Sequence, residues 1–178
     1  MFEWTQPNIQ AIQKVNDHLK FLSDSLLERY KSIEKKVPFI CDNPDFDYVE
    51  KVIGLIKGRV DLLPELWTQG DFFFKAPESY SEKDVKKRWS AETPEIMEEL
   101  IGVLEGIEDM SSANAEKIVL DWIAKKGYHL GNVMNAFRLA VVGSCRGPHM
   151  FDITELMPKE EVISRIRKAI ETIPAPSK

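Results

Sequence analysis

A chain of 178 residues, 43% hydrophobic and 30% charged, is sized for one domain or two small helical subdomains and has the make-up of an ordinary globular protein. No run approaches the roughly 18 apolar residues that a membrane span needs, so no membrane partner is expected. The net charge of −5 and pI of about 5.3 argue against a nucleic-acid binder, because phosphate-binding proteins are usually basic.

The opening MFEWTQPN lacks the basic and apolar stretches of a secretory signal. Cys41 and Cys145 lie far apart in sequence, which reads as a reduced cytoplasmic protein with two free thiols. Ile12, Val15, Leu19, Leu22, Leu26, Tyr30 and Ile33 recur at spacings of three and four and predict one long amphipathic helix, or two broken near Ser23. Pro38 and Asn43-Pro44 then mark a loop. Asp45 is a candidate cap for a second helix whose stripe is Val49, Val52, Ile53, Ile56, Val60 and Leu63. Pro64 starts another short helix. Phe72-Phe73-Phe74 can stack RNA bases or anchor one helical layer on the next. Three consecutive aromatics point in different directions, so the reading favours anchoring, with at least two buried. Lys75 to Ser81 is the expected boundary between subdomains 1–76 and 77–178.

Ser81 with Asp84 offers a capping box before a short helix over Val85 to Trp89. Thr93, as N-cap before Pro94, begins a helix with Ile96, Met97, Leu100, Ile101 and Leu104 on its face. Ser112 to Lys126 is the next helix, closed by Gly127 after Lys125 and Lys126. Leu130 to Val142 is apolar on most sides and reads as a buried central helix. The last helix covers Lys159 to Thr172, with Val162, Ile163, Ile166 and Ile170 inward and Lys159, Arg165, Arg167 and Lys168 outward. Pro174-Ala175-Pro176 reads as a frayed tail. No strand pattern of useful length occurs. The expected fold is an all-α cage in two helical subdomains.

The charges are unevenly spread. Trp89 to Glu116 has no Lys or Arg, whereas Trp122 to Phe151 has no Asp or Glu but holds Lys125, Lys126, Arg138 and Arg146. A locally positive face can attract phosphate on an acidic domain. The other reading is that both segments are solvated helix faces. No Gly-rich phosphate loop is present. The histidines and cysteines lack metal-site spacing, so no metal is expected. Cys145 and His149, four apart, are conceivable as a catalytic pair but lack an Asn or Asp orienter. No catalytic residue is therefore expected in the chain.

Two blocks carry a more specific signal. NVMNAFRLAVVGSCRGPHMFDITELMPKEEVISRIRKAI spans Asn132 to Ile170, and VEKVIGLIKGRVDLLPELWTQGDFFFKAP spans Val49 to Pro77. Together they resemble the last segment of bacterial glutamyl-tRNA synthetases, over roughly Asp24 to Ile170. The resemblance implies an all-α anticodon-binding region of the class I aminoacyl-tRNA synthetase type, with the anticodon loop of tRNA-Glu and the enzyme's own catalytic domain as partners. The complete enzyme would be a cytoplasmic, monomeric ligase of protein biosynthesis that uses ATP and Mg. No cofactor is implied for this chain, which lacks the family's His-x-Gly-His motif and Lys-rich loop. The family's anticodon-reading turn carries over to Gly147, Pro148 and Met150. Arg146 and His149 beside them are candidate tRNA contacts, joined by Lys125 and Lys126.

Arg138 and Arg59 match family arginines; each is open to structural pairing or to a tRNA contact. Lys35, Lys36 and Lys57 are further candidates. The alternative reading is a helical protein-interaction module that docks through the acidic Glu92 to Glu116 segment.

Overall fold

The computed structural model describes residues 46–174; the expected helix from Ile12 to Ile33, Lys35, Lys36 and Cys41 lie outside them. The chain divides into two compact units, 1–44 and 45–178, and everything below concerns the second. Its described residues are all helical, without a strand: α1 (Phe46–Ile56), α2 (Leu63–Gly70), α3 (Glu82–Arg88), α4 (Thr93–Glu105), α5 (Ser112–Lys126), α6 (Leu130–Val142), α7 (Met150–Leu156) and α8 (Lys159–Thr172). Two short 3-10 turns, Lys57–Arg59 and Asp71–Phe73, link the first elements.

Local chemistry sets most of these boundaries. Glu65 reaches back from α2, its Oε2 accepting from the Asp61 and Leu62 amides at 3.0 and 3.3 Å. Ser81 Oγ caps α3 by accepting from Asp84 N at 3.4 Å. Glu92, one residue earlier than expected, precedes α4. The Thr93 hydroxyl instead accepts from the Ser90 amide at 2.9 Å. Gly127 closes α5 in the left-handed region at φ 71°.

The core lies where α4, α6 and α8 pack together. Phe137 of α6 meets Phe151 of α7 edge to face, ring centroids 6.5 Å apart. Phe72 and Phe73 are buried in the same core, so the aromatic run anchors one layer on the next. Phe74 is half-buried, stacked on Trp67 at 6.2 Å and 11°.

Two expectations about facing are corrected. Ile53 is 40% exposed, while Val52 and Ile56 are buried. Ile53 lies at the edge of the stripe centred on Val52 and Ile56, and beyond Ile56 the stripe breaks, because α1 stops there and the chain is extended by Val60. Arg165 does not face outward; it is 3% exposed. Its Nη1 donates to Phe72 O at 2.6 Å and to Val141 O at 3.1 Å, and its Nε to Glu161 Oε1 at 2.7 Å. A buried guanidinium is tolerated because these acceptors satisfy it.

Candidate nucleic-acid interface

The segment between α6 and α7 is held from three sides. Gly143 ends α6 at φ 85°, and a Cβ there would lie 2.9 Å from Pro77 Cβ and 3.0 Å from Ser79 O. Only glycine fits this left-handed and crowded position. The start of α3 then grips the turn. Ser81 N donates to Gly143 O at 2.8 Å, and Cys145 N donates to Asp84 Oδ2 at 3.0 Å. Asp84 thus spends its carboxylate on the turn and not on its own capping box. Arg138 reaches across from α6, its Nη1 donating to Pro148 O. Gly147 beneath it has φ 133°, a backbone conformation that other residues rarely adopt.

The charges around the turn are unbalanced. Burial lowers the pKa of Arg138, and the nearby charge of Arg59 adds to the effect. The Cys145 amide holds the Asp84 carboxyl below its usual range against an opposing burial effect, with help from Ser81, Lys83 and Arg146. Burial and Asp84 push the Cys145 thiol up, opposed by Arg88, Arg138 and Lys87. Arg59, Lys87, Arg88, Arg138 and Arg146 therefore share one neighbourhood. Among the described residues none of them has a carboxylate within ion-pair distance. Five cations gathered around a rigid turn outnumber the one carboxylate hydrogen-bonded to its backbone, Asp84, and can take phosphate oxygens.

The predicted site residues separate into four groups. Arg146 is exposed at the tip, with Gly147 and the buried Pro148 forming the turn beneath it. His149 is exposed but faces acids: Nε2 lies 3.4 Å from Glu116 and Nδ1 3.6 Å from Asp152. Met150 is corrected outright. It is the first residue of α7 and 1% exposed, so it packs in the core and offers no platform to a base. Lys125 and Lys126 form a separate place at the far end of α5. The first turn of α5 touches α7 through Ser112 Oγ and Asp152 Oδ1 at 2.7 Å, and Lys125 lies roughly 14 Å further along the helix axis than Glu116. Lys126 is tied to Glu99 at 3.0 Å.

Sequence reasoning missed Lys87 and Arg88. They close a basic triplet, Lys86-Lys87-Arg88, at the end of α3, one step before the acidic stretch begins. Cys145 and His149 are not brought together as a pair: Cys145 Sγ donates to Asn135 O at 3.6 Å, and a thiol pushed up by burial is the reverse of an activated one. Among the described residues no group of three His, Cys, Asp or Glu side chains could hold a metal. No described helix is long and apolar enough to cross a membrane.

The family model described as "Anticodon binding domain" matches residues 10–170. The chain belongs to this family. Its anticodon-binding domain is 53% identical over 128 residues to a glutamate–tRNA ligase of Bacteroides fragilis, a stretch covering 72% of this chain and 25% of that protein. It is 44% identical over 172 residues to the glutamate–tRNA ligase of Azobacteroides pseudotrichonymphae, covering 96% of this chain and 32% of the relative. Among solved structures, a glutamate tRNA ligase from Elizabethkingia meningosepticum in complex with its amino acid superposes with a TM-score of 0.71 and 34% identity, over 85% of this chain and 29% of that one. The glutamate–tRNA synthetase of Elizabethkingia anophelis gives 0.65, also at 34% identity, over 84% and 28%. The anticodon-binding domain thus spans about a quarter to a third of the relatives it matches. Nothing in these matches supports the alternative of a docking module built on the acidic segment.

Proposed function

We propose that this domain binds the anticodon loop of tRNA-Glu through the turn from Ser144 to His149 and the cations around it. In the complete enzyme it would present the acceptor end to a catalytic domain outside this chain. There glutamate is esterified to tRNA with ATP and Mg, and the enzyme works as a monomer in the cytoplasm. The observation that carries the reading is the gathering of Arg59, Lys87, Arg88, Arg138 and Arg146 around one fixed turn, none of them with a carboxylate within ion-pair distance among the described residues. Such a patch holds backbone phosphates. Arg146 at the tip has a planar fork that can stack on or pair with a splayed base. Arg138 contributes by holding Pro148 in place. The lysine pair Lys125 and Lys126 is a second, outlying contact.

Filter binding of tRNA-Glu to the purified chain tests the reading. Binding that falls when Arg59 and Arg88 are both changed to Ala supports it. Equal binding by the variant and the parent removes the turn from the interface.

A further inference from the structure

A pocket of about 150 Å3 opens beside the tip of the turn, between the end of α2 and the residues that follow α6. By liquid volume that is room for about five waters, enough for one flat single ring. The end of α2 and the aromatic turn supply Gln69 and Asp71 to its lining, and the turn after α6 supplies Ser144 and Arg146. Thr68 also lines it but donates its hydroxyl to Glu65 O at 3.0 Å. Among the described residues the side chains of Gln69, Asp71, Ser144 and Arg146 make no hydrogen bond or ion pair within the protein. Unspent polar side chains converging on one small cavity suit the polar edge of a ligand.

The walls are fixed before any ligand arrives. Asp71 N donates to Trp67 O, and Asp71 O accepts from Phe74 N and Lys75 N, both at 2.9 Å. Arg165 Nη1 donates to Phe72 O on one wall and to Val141 O, next to Val142 of the lining, on the other. One buried guanidinium thus braces both sides, and a braced site loses little freedom on binding.

The donor and acceptor types select the ring. The Asp71 carboxylate can only accept and the Arg146 guanidinium can only donate, while Gln69 and Ser144 can do either. The pairing edge of cytosine runs amino donor, ring-nitrogen acceptor, carbonyl acceptor. Uracil reverses the first two, so a carbonyl oxygen would face the carboxylate. An acidic side chain accepting from the cytosine amino group is the matched pairing. A single-stranded loop can splay a base out to present that edge.

We propose that this pocket takes one splayed cytosine of the anticodon loop, its amino group donating to the Asp71 carboxylate and its carbonyl oxygen accepting from Arg146. Asp71 then sets specificity, whereas the cations around the turn set affinity. The proposal rests on the reading of this turn as the tRNA-Glu interface.

Filter binding of tRNA-Glu transcripts to the purified chain tests it, each cytosine of the anticodon loop being replaced by uridine in turn. One replacement should weaken binding to the parent about tenfold or more. Asp71→Asn offers an N–H donor to the uridine carbonyl, so the same replacement should then cost little. Asp71 is exposed, and melting temperatures show that the variant is folded. A parent that binds every replaced transcript as well as the original overturns the proposal. So does an Asp71→Asn variant that keeps the full preference for cytosine at every position, while a loss of binding in the chain carrying Arg59→Ala and Arg88→Ala still upholds the interface. A parent that holds no tRNA-Glu removes the interface and the pocket's ligand together.

Discussion

The carboxylate of Asp84 accepts the backbone N–H of Cys145 at 3.0 Å, joining the first turn of α3 to a loop 61 positions away. Removing it leaves a half-buried amide without an acceptor. Asp84→Ala is expected to cost about 1–3 kcal/mol, and Asp84→Asn less, because an amide oxygen can still accept. Urea unfolding of the three proteins checks the order.

The same contact fixes a pH dependence. The Cys145 amide holds the Asp84 pKa below its unfolded value. A depressed carboxylate contributes stability above the unfolded pKa, and that contribution is lost as pH falls through the folded pKa. Wild type is therefore expected to lose its advantage over Asp84→Asn below about pH 4, where an unperturbed aspartate protonates. Melting temperatures of both proteins across acidic buffers test this; a constant gap down to strong acid contradicts it.

Two glycines are expected to respond in opposite directions to alanine. At Gly143 the left-handed backbone and the contacts at 2.9 and 3.0 Å leave no room for Cβ. Gly143→Ala is expected to destabilise by at least about 1–3 kcal/mol. Gly54 sits inside α1 with nothing within 4 Å of its would-be Cβ. Gly54→Ala is expected to stabilise by about 0.5–1 kcal/mol through helix propensity. Thermal denaturation separates the two signs.

Salt dependence locates the RNA path. Each phosphate contact on a single strand adds about 0.7 to the log–log slope of affinity against salt. Lys87→Glu with Arg88→Glu should flatten the slope for tRNA-Glu more than Lys125→Glu with Lys126→Glu, because Lys126 already answers to Glu99. Equal flattening would extend the path along α5.

Arg146 is exposed at the tip of the turn, so its replacement should leave the fold intact. Arg146→Ala is expected to weaken tRNA-Glu binding by about 1–3 kcal/mol if the guanidinium stacks on a base. Arg146→Lys keeps the charge and loses the fork. Near-normal binding by the Lys variant with an unchanged preference for tRNA-Glu over tRNA-Gln assigns Arg146 to phosphate. A reduced preference assigns it to a base. Met150→Ala is instead a core truncation, expected to cost about 2–5 kcal/mol of stability.

Much of the fold was legible because periodicity and capping agreed. The expected helices Ser112–Lys126, Leu130–Val142 and Lys159–Thr172 are the observed ones, and Gly127 closes the first as predicted. α7 was missed because Gly147-Pro148 reads as a turn and only seven helical residues follow it. That hidden helix is also why Met150 was assigned to the surface. Arg165 was misplaced by its charge. Its position, three after Val162 and four before Ala169, belongs to the buried face, and its acceptors come from distant carbonyls that no local pattern reveals. At the turn, Arg146 and Arg138 were legible from the basic stretch. Lys87 and Arg88 reach the same place only through the grip of α3 on Cys145.

The buried guanidinium of Arg165 has a consequence for how this unit comes apart. One side chain of α8 holds carbonyls from the aromatic turn after α2 and from the end of α6. Either segment, in lifting away, gives up a hydrogen bond to the guanidinium, while Glu161 on the same helix keeps its ion pair. The aromatic turn, α6 and α8 are therefore coupled through one side chain, and opening any one of them is expected to loosen the other two.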